Sequence, residues 1–133
     1  MKPADVQRVV GAGVAVETTT RDGFVVAIKA QQFARLVDGT RVVTEQPFFE
    51  APPSNPALVG GVSAYRPGAE LFRLDDFATS QALDTIRRFA NAQRAAVSDA
   101  FWRPLLDKLY YDEDINIDAS VLENVPFSFG EAP

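Results

Sequence analysis

The chain has 133 residues and a net charge of −5, and 47% of its residues are hydrophobic while 23% are charged. These values fit a single domain over residues 1–133 and exclude a chain that is disordered throughout. Cysteine and histidine are both absent. Their absence excludes disulfides, thiolate and imidazole metal sites, and every nucleophile that a histidine activates.

The apolar runs are only a few residues long, far below the roughly 20 residues that span a bilayer. The first ten residues also lack the apolar stretch of a signal peptide, because Lys2, Asp5 and Arg8 interrupt them. We therefore expect a soluble, intracellular protein without a membrane partner. It would lie in the cytoplasm of the producing cell or within an assembled particle.

The first half of the chain predicts an antiparallel β-meander over about residues 14–49. A short helix over residues 1–10 precedes it and ends at Gly11 and Gly13. Two Asp-Gly pairs, at 22–23 and 38–39, then separate three runs rich in β-branched residues. Asp-Gly between such runs is a strong hairpin signal, and β-branched side chains favour strands.

Residues 47–68 contain five prolines and three glycines, which prevent regular structure over most of this stretch. Phe48, Phe49 and Tyr65 are among its apolar side chains. The loop therefore either packs onto its own sheet or extends as an arm that docks on a neighbouring subunit.

An amphipathic helix is predicted over about residues 76–102, with Asp75 or Asp76 as its N-cap. Pro104 bends or restarts this helix. The rest of the chain, over residues 112–133, is predicted to be an acidic, irregular segment that includes a short strand or tail. Together, the meander, the long helix and the C-terminal segment indicate the α+β class.

The negative charge is concentrated at the C-terminal end. Residues 1–74 contain eight Lys or Arg and seven Asp or Glu, whereas residues 75–133 contain five and eleven. An acidic surface repels a nucleic-acid backbone and attracts a basic protein surface. We therefore expect protein partners and no direct contact with nucleic acid, although an acidic end can also serve solubility alone.

One segment of the acidic end follows the ligand spacing of the EF-hand calcium loop. Its candidate calcium ligands are Asp112, Asp114, Asn116, Ser120 and Glu123. The sixth loop position, which needs glycine because the chain turns there with positive φ, is Ile117. This departure argues against calcium, so we expect no metal ion and no cofactor.

Aromatic residues also cluster near the end of the long helix. Phe101 is predicted to be core, whereas Trp102 and one of the tyrosines at 110 and 111 are predicted to be partly exposed, because adjacent helical residues point to different sides. Exposed aromatic and acidic side chains are typical of protein interfaces. The predicted partner-binding residues are Phe48, Phe49, Tyr65, Trp102, Tyr110, Asp112, Glu113 and Asp114.

These patterns predict a non-enzymatic structural or assembly subunit that packs into a larger, homo-oligomeric complex. A component of a bacteriophage particle, and thus a viral protein of the virion, is an example of that class. The alternative is an acidic inhibitor or regulator that mimics nucleic acid and binds a basic groove of a host enzyme.

Overall fold

The computed structural model describes residues 4–51 and 73–131. These residues form four helices and a five-stranded sheet, which confirms the α+β class. The strands are β1 (Val9–Arg21), β2 (Phe24–Leu36), β3 (Arg41–Val43), β4 (Phe49–Ala51) and β5 (Phe127–Glu131). The helices are α1 (Asp5–Arg8), α2 (Asp76–Ala95), α3 (Asp99–Glu113) and α4 (Ala119–Asn124).

A long antiparallel hairpin of β1 and β2 is the centre of the sheet. Asp22 and Gly23 form its turn with φ values of 55° and 82°, as in a type I′ turn, whose twist matches that of the two strands. β3 and β4 pair in succession with the outer edge of β2. β5 pairs with the outer edge of β1 and runs parallel to it, so the sheet is mixed.

The start of β1 differs from the prediction. The first helix ends at Arg8, and Val9 and Val10 already belong to the strand. Gly11 and Gly13 lie inside β1 rather than interrupting it. A Cβ atom at Gly13 would overlap the carbonyl oxygen of Ser128 and approach the ring of Phe33 to 2.7 Å, so β5 and Phe33 use the space that this glycine leaves empty.

The predicted single helix over residues 76–102 is wrong, because the chain forms two helices with a break at residues 96–98. α2 ends in a Schellman motif, in which Val97 N–H donates to Arg94 O and Ser98 N–H donates to Gln93 O. Ser98 then caps α3 by accepting from Phe101 N–H at 3.3 Å. Pro104 lies on the exposed side of α3 without ending it.

Over residues 112–131 the chain is more regular than predicted, although the predicted short strand is present as β5. α3 continues to Glu113 and ends where Asp114 adopts a left-handed conformation with φ of 55°, which aspartate tolerates better than most residues. α4 and β5 follow. Ile115 and Leu122 are fully buried, so core packing gives this acidic segment its regular structure.

The core lies between one face of the sheet and the helices α2, α3 and α4. Even-numbered residues from Ala12 to Thr20 and from Ile28 to Leu36 share this face, and the two register shifts add Val9 and Val25 to it. The Gln32 side-chain amide, which is buried there, donates to the carbonyl oxygen of Phe101 and so joins the sheet to α3. The largest fully buried side chains of the apolar core cluster are Trp102, Ile28, Leu105, Leu109, Ile115 and Leu122.

We expect Gly13→Ala to lower the free energy of unfolding by about 1–3 kcal/mol, because the added methyl group overpacks the space beside Ser128 and Phe33. Gly11→Ala in the same strand is the matched control. A Cβ there would lie 3.6 Å from its nearest neighbour, so that variant should change stability by less than about 1 kcal/mol. Urea denaturation measures both, and equal losses would contradict the proposed overlap at residue 13.

Val97→Gly should raise the free energy of unfolding by about 1 kcal/mol. Val97 has φ of 49°, a conformation that costs a β-branched residue energy and costs glycine little. Val97→Ala is the control, because alanine keeps the Cβ atom that makes this conformation unfavourable. Thermal denaturation of both variants tests the expectation, and a less stable Val97→Gly variant would contradict it.

Candidate protein-interaction surfaces

An apolar groove lies between β4 and α2. Its described lining consists of Phe48, Phe49, Thr85, Ile86 and Phe89, and its volume is about 250 Å³. We call this feature the aromatic groove. Its wall is open to solvent, since Phe49 is 36% exposed and Phe89 is 49% exposed.

Local structure on both sides positions the aromatic groove. Phe48 N–H donates to Ala30 O at 3.0 Å, which fixes the chain against β2. The Phe48 ring then stacks on Phe89 with centroids 6.1 Å apart and meets Phe101 edge-on at 5.1 Å. Aromatic pairs in these geometries are favourable beyond the area they bury. These contacts therefore hold the rings of Phe48 and Phe89 in place in the groove.

Sequence reasoning identified one wall of the groove and missed the other. Phe48 and Phe49 were predicted to bind a partner, whereas Phe89 on α2 was not. Phe89 lies three residues after the buried Ile86, a spacing that places both on neighbouring parts of the helix surface. This spacing could have identified Phe89 as a groove residue from the sequence.

A second cavity of about 280 Å³, lined mostly by polar residues, lies between α3 and the connection from β3 to β4. Lys108 lines this cavity, and its ammonium group donates to Asp112 at 3.0 Å and to Glu45 at 3.4 Å. The hydrogen bond to Asp112 and, more weakly, that to Glu45 raise the pKa of Lys108. Lys108 is therefore a cation held within the acidic surface.

Arg103 lies one turn earlier on α3 and forms ion pairs with Asp99 and Asp107. These hydrogen bonds raise the pKa of Arg103. The outer face of α3 therefore alternates acidic and basic side chains, a pattern that stabilises an exposed helix. The acidic end is less uniformly negative than its residue counts imply.

The predicted partner residues have different outcomes. Trp102 was expected to be partly exposed, but it is 0% exposed and packs edge-on against Phe101 and Phe127. It belongs to the core because the helix break at residues 96–98 resets the faces of α3. Tyr110 is 50% exposed, and Tyr65 lies outside the described residues.

The acidic partner residues lie at the end of α3. Asp112 is exposed and bonds Lys108. The carbonyl oxygens of Glu113 and Asp114 accept hydrogen bonds from the Arg8 guanidinium at 3.1 and 3.2 Å. A cation at this helix end is favourable, because the last carbonyl groups carry partial negative charge.

The five residues with calcium-loop spacing are distributed over separate elements. Asp112 is in α3, Asp114 is its C-cap, and Ser120 and Glu123 are in α4. Nowhere in residues 4–51 or 73–131 do three or more acidic side chains form a group that could hold a metal ion. Asp118, which precedes α4, instead accepts from Ser120 N–H at 3.0 Å as the N-cap.

Within the part of the chain that the structure describes, none of the helices combines the length and the apolar character that crossing a bilayer requires.

The charge of Asp118 should contribute stability that depends on pH. Hydrogen bonds from the Ser120 side chain and backbone lower its pKa from the ordinary value of 3.8. A lowered folded-state pKa gives stability above the unfolded-state value, and this stability is lost as the pH falls through the folded-state value. Asp118→Asn keeps a side chain that can cap the helix and removes the charge.

We therefore expect Asp118→Asn to be less stable than the wild type at about pH 7, and the difference to shrink as the pH falls below 3.8 and through the lowered folded-state pKa of Asp118. Urea denaturation at neutral and at acidic pH measures it. A difference that persists unchanged at the lower pH would show that the charge of Asp118 is not its cause.

Comparison with known proteins gives no relative of this chain. No family model, no curated protein and no solved structure matches it. What the chain does must therefore be inferred from its own surfaces.

Proposed function

We propose that this chain is a non-enzymatic structural or assembly subunit that packs into a larger, homo-oligomeric complex. A component of a bacteriophage particle is an example of such a subunit. The observation that carries the proposal is the aromatic groove, whose described lining is mostly apolar and in which Phe49 and Phe89 remain exposed. A soluble location, in the cytoplasm of the producing cell or within the assembled particle, is part of the proposal.

The chemistry of the groove fits a protein partner. Of the described residues that line it, Thr85 alone is polar. Aromatic side chains are enriched in protein interfaces, and exposed apolar patches often mark such contacts. Covering Phe49 and Phe89 would remove apolar surface from water, which favours association by about 25 cal/mol for each Å².

A neighbouring copy offers a side chain that suits this groove. Phe77, in the first turn of α2, is 71% exposed and presents an aromatic ring to solvent. An exposed ring on one copy and an apolar groove on the next form a head-to-tail contact, which builds rings or filaments rather than closed dimers. The occupant that we propose for the aromatic groove is therefore Phe77 of a second copy.

An acidic inhibitor or regulator that mimics nucleic acid is the second candidate. The exposure of Asp112 and Asp118 favours it, because such side chains would meet a basic groove. Arg103 and Lys108 lie among the carboxylates of α3 and form ion pairs with them. These cations weaken the resemblance to a continuous phosphate backbone, so we place assembly first.

Phe89→Glu and Phe77→Glu should each shift the purified protein to a smaller assembly, because a carboxylate in an apolar contact loses its hydration. Light scattering coupled to size-exclusion chromatography measures the mass. Tyr111→Glu, at an exposed aromatic on α3, is the control and should leave the mass unchanged.

Circular dichroism must accompany these measurements, since the Phe89 ring also contacts Phe48 and Phe101. Phe77→Glu keeps the test decisive if Phe89→Glu unfolds the protein. Folded Phe77→Glu and Phe89→Glu variants with the mass of the wild-type assembly would overturn the proposed groove contact. A wild-type chain that remains monomeric would overturn the proposed homo-oligomer.

A further inference from the structure

Among the described residues, the far end of β1 has an open edge. β5 pairs with β1 only as far as Ala15, which lies opposite Glu131. β1 then continues through Arg21, and within residues 4–51 and 73–131 no strand pairs with its outer side beyond Ala15. An unpaired edge presents backbone donors and acceptors that can bind another strand.

The peptide groups that point outward can be identified from the pairing with β5. Ala12 N–H donates outward to Pro126 O at 3.0 Å. Because peptide direction alternates along a strand, the N–H and C=O groups of Val16, Thr18 and Thr20 also point outward. The register shift near Thr19 places the extra residue in β2, so β1 stays regular and can accept a further strand.

This edge lacks the prolines and bulges that often protect an exposed strand. All residues from Glu17 to Arg21 are exposed, and the run contains no proline or glycine that would disfavour pairing. Neither Glu17 nor Arg21 forms an ion pair with any described residue. The two opposite charges lie at the two ends of a row of three threonines.

We propose that this edge pairs antiparallel with the same edge of a second copy, about a two-fold axis at Thr19. This inference rests on the proposed homo-oligomeric function and specifies one contact within it. The symmetry places Thr18 opposite Thr20 of the second copy, where the outward peptide groups exchange hydrogen bonds. It also places Glu17 opposite Arg21 of the second copy, twice in each dimer.

The charge pattern of the sheet favours this register. Glu17 lies opposite Lys29 on β2, and Lys29 lies opposite Glu50 on β4. In the proposed dimer, Arg21 of the second copy lies beside Glu17. The charges of the facing residues then alternate across four strands, from Glu50 through Lys29 and Glu17 to this arginine. Opposite charges in directly facing positions stabilise a strand pair, whereas like charges destabilise it. A two-fold axis at Thr18 instead would bring Arg21 against Ala15, whose outer side β5 already occupies.

The decisive experiment exchanges these charges. Glu17→Arg gives a copy with two arginines at the paired positions, and Arg21→Glu gives a copy with two glutamates. Each variant alone faces two like-charged pairs, so its dissociation constant should rise about tenfold. The double variant E17R/R21E restores opposite charges between the copies, so it should associate more tightly than either single variant, even though the arginine introduced at position 17 faces Lys29 on β2.

Mixing the two single variants sharpens the test. In a heterodimer of E17R with R21E both facing pairs are again opposite in charge, so the equimolar mixture should associate more tightly than either variant alone. Sedimentation velocity over a wide concentration range measures all of these species. Arg88→Glu makes the same charge change on an exposed side chain of α2 and should have no effect.

Thr18→Pro provides a second route to the same answer. It removes an outward donor that makes no hydrogen bond within the hairpin, so the fold should survive while the edge contact is lost. If neither the charge exchanges nor Thr18→Pro changes the mass of the oligomer, the edge contact is wrong, while the proposed homo-oligomeric function is unaffected. A wild-type chain that stays monomeric would overturn both, and a dimer that responds to the edge variants but not to Phe89→Glu would overturn the groove contact alone.

Discussion

The missing side chain at Gly13 allows β5 and the ring of Phe33 to approach the middle of β1 together. Because β5 runs parallel to β1, the chain must cross from one end of the sheet to the other before β5 begins. α2, α3 and α4 lie in this crossover, and they cover one face of the sheet with Trp102 and Leu105 at the centre. The close approach at Gly13 is therefore the constraint on which the placement of the C-terminal half depends.

The same constraint determines which parts of the sheet remain open. β5 ends opposite Ala15, so the second half of β1 has no described neighbour on its outer side. At the opposite edge of the sheet, the aromatic groove lies between β4 and α2. A symmetric contact at the first place and a head-to-tail contact at the second would together extend an assembly beyond a dimer.

Local signals in the sequence were reliable where one residue decides the geometry. Asp22–Gly23 forms the predicted hairpin turn, and Asp75 caps α2 by accepting from Ala78 N–H at 2.8 Å. The break between α2 and α3 was missed, because the left-handed position at the end of α2 is held by Val97 instead of glycine. Ser98 followed by Asp99 was the signal of a new helix start.

Tertiary contacts determined what the sequence did not predict. The buried side chains of Ile115 and Leu122 attach to the core an acidic segment that composition alone describes as irregular. Trp102 is core rather than surface, since its face of α3 depends on where that helix begins. The parallel pairing of β5 depends on the space at Gly13, and a glycine in a strand pattern does not reveal which strand will approach it.

The central claim is that copies of this chain associate with one another, and the mass of the purified wild-type protein tests it most directly. Sedimentation velocity over a range of concentrations should give a dimer or a larger species whose share grows with concentration. A single species with the mass of one chain at every concentration would contradict the claim.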